Sequence, residues 1–299
     1  MIRYQVVAFF TRFYPFLSGC GTLANARFLK KMSGTQTSCG WAKLHNGLKV
    51  FVPFDDYIGR AIYFVGDLDR KVSTAINRLA RQGDTVIDIG ANLGLITMQL
   101  TKLVGENGKV FAFEHNPHML DCLKQTIEKN AAKNIKLFPF ALGDFDTELS
   151  LHVPDDNNNG RATLTNNVIH ENPKIISVPV KKLSDVTESH YIQKVRLLKI
   201  DVEGFEIQVF EGGKDWLSEN PPDYILLESN GSNGKEVSDN AMLFLESFGY
   251  EIYALNKTML KLSLHSCDAS YASHDNANDF IAVQPCCSNE FHRLFFVRT

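Results

Sequence analysis

Among the six cysteines, at 20, 39, 122, 267, 286 and 287, there is no C-x-x-C pair and no Cys/His spacing suited to zinc. That argues against a structural zinc site and against a redox dithiol. Adjacent Cys286 and Cys287 are expected to be packing residues, and a reduced, cytoplasmic compartment fits this usage. No apolar run reaches the roughly 18 residues of a membrane span. Neither charge dominates: 31 Lys and Arg face 34 Asp and Glu, a formal net charge of −3. No global field therefore draws the chain to nucleic acid or to an anionic membrane, which leaves only local patches to consider. Internal repeats and low-complexity tracts are absent as well. What is present is 44% hydrophobic residues over 299 positions, enough for a sizeable core, which excludes a disordered chain.

The first 17 residues are apolar but interrupted by Arg3 and Arg12, and no small-residue cleavage site closes them. They are expected to form a helix docked on the body, with Phe9, Phe10, Phe13, Tyr14 and Phe16 as the docking face. A membrane contact through residues 1–17 is the rival reading. Leu48 to Pro53 alternates like a short strand, and Val72, Ile76 and Leu79 mark a helix that ends at Gly83. From Asp84 the rhythm changes to strand, helix, strand, helix, strand: 85–90, 93–104, 109–114, 117–130 and 135–139. Parallel neighbours require such crossovers, so this order builds a parallel sheet. Residues 142–182 form an excursion with extended segments at 148–153 and 174–180 around an Asp/Asn-rich turn, a suitable place for substrate contacts. Buried strands resume at 195–201, 224–228, 250–255 and 279–284. The division expected is an extension over 1–80, covering cofactor and acceptor, followed by an α/β domain over 81–299.

Three constellations carry chemistry. Asp88-Ile89-Gly90-Ala91-Asn92-Leu93-Gly94 closes the first strand of the α/β region. Glycine there lets the backbone turn sharply and approach a ligand, and ligands of open sheets bind outside the carboxyl ends of strands. The spacing lacks the G-x-G-x-x-G that seats a dinucleotide pyrophosphate, which points to a nucleoside without phosphates. Glu114, at the end of the next strand, can accept hydrogen bonds from both ribose hydroxyls, although a strand-end carboxylate is commonplace on its own. Lys199-Ile200-Asp201-Val202-Glu203-Gly204 places two carboxylates directly after a buried strand. Helix capping would account for one of them. It does not account for Lys199, which needs a partner if buried.

These strings, with Phe-Glu-His-Asn-Pro at 113–117 and Ala-Leu-Gly-Asp at 141–144, resemble the FkbM family of S-adenosylmethionine-dependent methyltransferases. The resemblance covers about Asp56 to Gln284, and Lys-Ile-Asp-Val-Glu-Gly is its most specific part. One departure is His115, where relatives commonly carry proline. The resemblance implies an α/β fold: a seven-stranded, mostly parallel Rossmann-like sheet flanked by helices, with six strands parallel and one antiparallel. It implies a methyl donor, S-adenosyl-L-methionine, and a hydroxyl acceptor on a sugar, glycan or related secondary product, with no nucleic acid partner. Asp88, Gly90, Asn92 and Gly94 would lie along the amino-acid and ribose parts of the donor, and Glu114 would hold the ribose. Ala141 and Asp144 would lie by the adenine. Asp201, Glu203 and Lys199 would face the methyl group and the acceptor.

Methyl transfer needs acceptor oxygen, methyl carbon and sulfur in line, with reacting atoms about 3 Å apart. A base that takes the hydroxyl proton adds about a hundredfold or more, and Asp201 and Glu203 are the candidates. A Mg²⁺ held by Asp201, Glu228 and Asn230 is the rival way to activate a hydroxyl, and a metal-free site is the expectation. Two other classes compete: an NAD-linked oxidoreductase, against which the glycine spacing argues, and an idle nucleoside-binding scaffold, against which the intact acids argue. Arg60 and Tyr63 could roof the cofactor or simply pack. The remaining histidines, His152, His170, His190, His265 and His274, show no ligand-like spacing.

Overall fold

The computed structural model describes residues 2–33, 38–154, 159–165, 173–228, 240–267 and 278–296. The chain opens with α1 (Ile2–Thr11), α2 (Cys20–Asn25) and α3 (Arg27–Ser33). An antiparallel hairpin follows, β1 (Cys39–Lys43) and β2 (Lys49–Pro53), then α4 (Tyr57–Val65) and α5 (Arg70–Leu79). Local chemistry sets the limits of α4: Asp56 Oδ1 accepts from the Gly59 amide at 2.8 Å, and Gly66 ends the helix at φ 82°. One face of α1 (Tyr4, Val7, Ala8, Thr11) packs into a cluster with Phe54, Ile62 and Phe64, and the Thr11 hydroxyl donates to the Phe64 carbonyl at 2.6 Å. That phase turns the expected docking face outward: Phe9, Phe10 and Phe13 are 62%, 68% and 71% exposed, while Tyr14 and Phe16 are half-buried. Both faces of α1 are apolar, so composition could not tell which one packs. The same cluster continues into Leu93, Met98 and Met119, which joins the extension to the α/β region.

The α/β region alternates as expected: β3 (Thr85–Ile89), α6 (Leu95–Val104), β4 (Lys109–Phe113), α7 (Pro117–Lys129) and β5 (Ile135–Phe138). Asn116 caps α7 through the His118 amide, with Pro117 in the first turn where its missing N–H costs nothing. The excursion folds as a separate three-stranded sheet of β6 (Ala141–Gly143), β7 (Thr147–Val153) and β8 (Lys174–Lys182). It is followed by α8 (Leu183–Ser189), β9 (Val195–Ile200), α9 (Glu206–Gly212), α10 (Lys214–Glu219) and β10 (Tyr224–Glu228). The chain then runs through α11 (Asn240–Ser247), β11 (Glu251–Lys257), β12 (Leu262–Cys267), β13 (Asp279–Val283) and α12 (Ser288–Phe295).

The main sheet has the order β12-β11-β13-β10-β9-β3-β4-β5. Six strands share one direction, while β13 and β12 oppose them. The seven expected strands are all there, and β12 adds an eighth at the edge. Leu262–Cys267 alternates weakly and stays only half-buried at most, so its sequence carries no strand signal. Alternate residues of the central strands feed two cores. Ile87, Phe111 and Leu198 join one; Val86, Val110 and Leu197 join the other with α5, α6 and α12. Burial on both faces explains why these strands read as continuous apolar runs. All six residues of β9 are buried, including two cations. Arg196 pairs with Asp223 and Glu290 at the amino end of the strand, and Lys199 stands at the carboxyl end.

Candidate active site

The carboxyl ends of β3, β4, β9 and β10 open into one cavity of about 580 Å³, within the range of small-molecule sites. The floor begins at Gly90, whose φ is 78° and whose position leaves no room for a side chain: a Cβ would lie 1.9 Å from the Asp201 carbonyl oxygen. The turn after β3 thus presses against the end of β9, a contact tied by the Asp201 amide donating to the Ile89 carbonyl at 3.1 Å. Asn92 follows in the left-handed region at φ 53°, where asparagine is tolerated because its side chain can bond locally. Its Oδ1 accepts from the Leu93 amide at 2.7 Å.

Glu114 joins two loops. Its Oε2 accepts from the Asn92 amide at 2.6 Å and its Oε1 from the Asn116 amide at 2.7 Å. Each oxygen keeps a second lone pair, so the carboxylate is rigidly oriented and can still accept from a ligand. His115 lines the cavity, and burial pushes its imidazole below the ordinary value, with Glu114 opposing.

Lys199 and Asp88 form the buried pair beneath the glycine turn. The ammonium donates to the Gly90 carbonyl at 2.9 Å and lies 3.5 Å from both Asp88 Oδ1 and Asp201 Oδ2. Burial alone would lower its pKa, but Asp201, Asp88 and Glu228 outweigh this and hold it above the ordinary value. Lys199 is therefore a fixed cation at neutral pH and has no free pair to act as a base. Asp88 is fully buried, and its Oδ2 takes the Thr97 hydroxyl at 2.6 Å. The cavity does not reach it, which makes Asp88 a residue that positions Lys199 and the turn rather than one that touches a ligand.

The loop after β9 settles the capping question. The Val202 and Gly204 amides donate to Glu206 Oε1 at 3.1 and 3.2 Å. Neither Asp201 nor Glu203 caps α9; both line the cavity. Glu203 sits at φ 53°, a conformation that costs a non-glycine residue about 1–3 kcal/mol and concentrates at functional sites. Burial, then the charges of Asp201 and Glu206, raise its carboxyl to about 7. Glu228, at the end of β10, is pushed up to about 9 by burial, then by Asp201 and Asp279.

Two groups escaped the sequence reading as chemistry. Lys71 of α5 and Asp279 of β13 form a buried ion pair on the cavity wall. Asp279, a charge at the head of an apolar strand, offers the same signal that singled out Lys199. Burial raises it to about 6 despite Lys71. Ala141 and Asp144 are not among the residues that line the cavity: Ala141 is buried in the smaller sheet and Asp144 is exposed directly after its first strand. Arg60 is a packing cation: its guanidinium donates to the Ala24 carbonyl at 3.1 Å and lies 4.9 Å from the Phe64 ring centroid. Tyr63 is buried in the same cluster, and Tyr57 and Ile58 cover the cavity instead. Gly160 and Arg161 reach it from the excursion, whose Asp/Asn cluster at 155–158 lies outside the described residues, as does Asn230. Among the described residues no group of three or more His, Cys, Asp or Glu is placed to hold a metal ion.

Comparison with known proteins adds a family. The model described as the methyltransferase FkbM domain matches residues 88–252. "Methyltransferase 1" of Beauveria bassiana (strain ARSEF 2860) is 26% identical over 56% of this chain and 72% of its own length. The hexuronic acid methyltransferase AglP of Haloferax volcanii is 28% identical over 44% of this chain, which spans only 51% of that relative. A crystal structure of a methyltransferase FkbM from Methylobacillus flagellatus KT aligns over 94% of this chain and 58% of that one, at 12% identity and a TM-score of 0.42. At such values the strand order itself, not the superposition, establishes the architecture.

Proposed function

The chain belongs to the FkbM methyltransferase family, and on that premise we propose that it transfers a methyl group from S-adenosyl-L-methionine to a hydroxyl of a sugar, glycan or related secondary product. The observation that carries the site assignment is the division of labour after β9: Glu206 takes the loop amides, which leaves Asp201 and Glu203 to face the cavity shared with Gly90 and Glu114. The cavity suits the donor on two counts. The Gly90 turn gives a close approach that a Cβ would block, and Glu114 is oriented to accept from the ribose hydroxyls. The base on that ribose would meet His115, Asn116 and Met119.

The donor supplies an already activated methyl group, so the chain has to orient, exclude water and take a proton. Ser18 to Thr22, Tyr57 and Ile58 of the extension cover the cavity, in line with a role for residues 1–80 over donor and acceptor. Glu203, with a carboxyl near 7, is matched to accept the acceptor's proton at neutral pH. Lys199 cannot share that task and instead fixes the turn. A sugar-type acceptor is supported by the carboxyl groups on the lining, which can accept from hydroxyls, and by the likeness to a hexuronic acid methyltransferase. An RNA acceptor, as for the large-subunit rRNA methyltransferase E also matched, would bring phosphates against carboxylates.

Incubation with isotope-labelled S-adenosyl-L-methionine and a panel of hexuronic acids and hexosides should yield a methyl ether, located by mass spectrometry. Label on carbon, or on RNA alone, would overturn the acceptor class. For the donor, Glu114→Ala is expected to weaken binding about ten- to hundredfold, because charge-assisted bonds are lost and two loop amides lose their acceptor. Calorimetry reads this directly. Unchanged affinity would remove Glu114 from the donor site, and heat with NAD but none with the methyl donor would remove the donor itself.

A further inference from the structure

We infer that the N-terminal helices form a docking surface for an anionic lipid bilayer, with α1 lying in the plane of the interface. The inference does not depend on the acceptor. Opposite its packed stripe, α1 presents Ile2, Val6 and Phe9, continued by Phe13 just beyond the helix, at intervals of four, three and four residues, with Phe10 alongside. These five side chains are 51–78% exposed. The Phe9 ring contacts those of Phe10 and Phe13, each at 5.4 Å between centroids, so three phenyl groups cluster in solvent rather than in the core. The adjoining α3 adds Phe28 and Met32, 58% and 56% exposed. Scattered exposed apolar residues are ordinary, but a stripe at helical spacing marks an interaction surface.

Charge selects the occupant. Residues 1–54 contain seven Lys and Arg and not one Asp or Glu, although the whole chain is at −3. Arg12 is held by the Lys43 and Tyr63 carbonyls, and Arg3 on α1 and Arg27 and Lys31 on α3 are exposed beside the apolar stripe. Phenylalanines with basic residues and no acids are the composition of a helix that lies in an anionic headgroup region. A second copy is disfavoured by the same count, since a two-fold contact would set two all-basic surfaces against each other. Ser18 to Thr22, which lead into and open α2, form a wall of the cavity, so the N-terminal helices adjoin the site.

The test is co-sedimentation of the full chain with vesicles of phosphatidylcholine and phosphatidylglycerol in equal parts, against phosphatidylcholine alone. Binding to the anionic vesicles is expected to be at least about tenfold stronger and to weaken as salt is raised. The triple variant Phe9→Ser/Phe10→Ser/Phe13→Ser and the charge variant Arg3→Glu/Lys31→Glu should each lower it about tenfold or more, with unchanged melting temperatures because these side chains are exposed. No partition onto anionic vesicles overturns the inference, as does partition that survives the triple variant. A dimer in sedimentation velocity that the triple variant dissolves, without vesicle binding, would assign the stripe to a second copy instead. Capture of an acidic protein without vesicle binding would likewise overturn it.

Discussion

Glu203→Gln is expected to lower turnover about a hundred- to ten-thousandfold while leaving donor affinity nearly unchanged, the pattern of a group that acts only in the transition state. Burial raises this carboxyl to about 7, with Asp201 and then Glu206 adding to the shift. The base must be ionised to accept a proton, so wild-type turnover should rise with pH through a midpoint near 7. Asp201→Asn removes the larger of the two charges that hold the midpoint up. The rising limb should then move to lower pH, with activity retained above it. Were Asp201 the base, the same substitution would abolish turnover at every pH. Profiles of kcat against pH for the three proteins separate the cases, and an unchanged kcat in Glu203→Gln would sink the assignment. A chelator added to the wild type tests the rival route, since only a metal-dependent reaction would stop and then recover with Mg²⁺.

Lys199→Met should destabilise the fold by about 3–5 kcal/mol, because it leaves a buried carboxylate without its cation. Asp88 is fully buried, and among the described residues its Oδ1 has no hydrogen-bond donor and only the Lys199 ammonium, 3.5 Å away, as a counter-charge. The Gly90 carbonyl loses its donor in the same step. Exposure decides the magnitude. Lys257–Asp69 is closer at 2.6 Å, yet its side chains are 22% and 30% exposed, so breaking it should cost about 1 kcal/mol or less. Adding Asp88→Asn to Lys199→Met removes the stranded charge while the amide oxygen can still take the Thr97 hydroxyl, and part of the loss should return. Urea denaturation of the single and double variants measures both steps. A single-variant loss under about 1 kcal/mol would mean that the Lys199–Asp88 pair contributes no more than an exposed one.

Much of this was legible in the chain itself, for reasons that are local. A strand buried on both faces must be apolar throughout, so 85–89, 109–113, 195–200 and 224–228 could be read without knowing their neighbours. A glycine where the backbone must turn left-handed, and a lysine inside such a strand, also stand out in one dimension. Thus Gly90, Glu114, Lys199, Asp201 and Glu203 were all found by position, and the structure brings all five to one cavity. Strand β12, only half-buried at best, left no comparable trace.

What needed the tertiary structure is direction and partnership. Sequence spacing puts Asp88 beside the glycine turn, but only the packing of β3 against β9 sends its side chain inward to Lys199 and away from the cavity. Three carboxylates follow β9, and only the fold of the loop shows that Glu206 takes the amides while Asp201 and Glu203 do not. Lys71 and Asp279, far apart in the chain, meet because α5 and β13 pack against the same end of the sheet. In α1 the sequence supplies two apolar faces and no means to rank them; the core accepts Tyr4, Val7, Ala8 and Thr11, and the phenylalanines are left outside. Composition and period determine which elements form, since those depend on near neighbours. Which way a side chain points, and what it meets, depends on residues a hundred positions away, and that only packing decides.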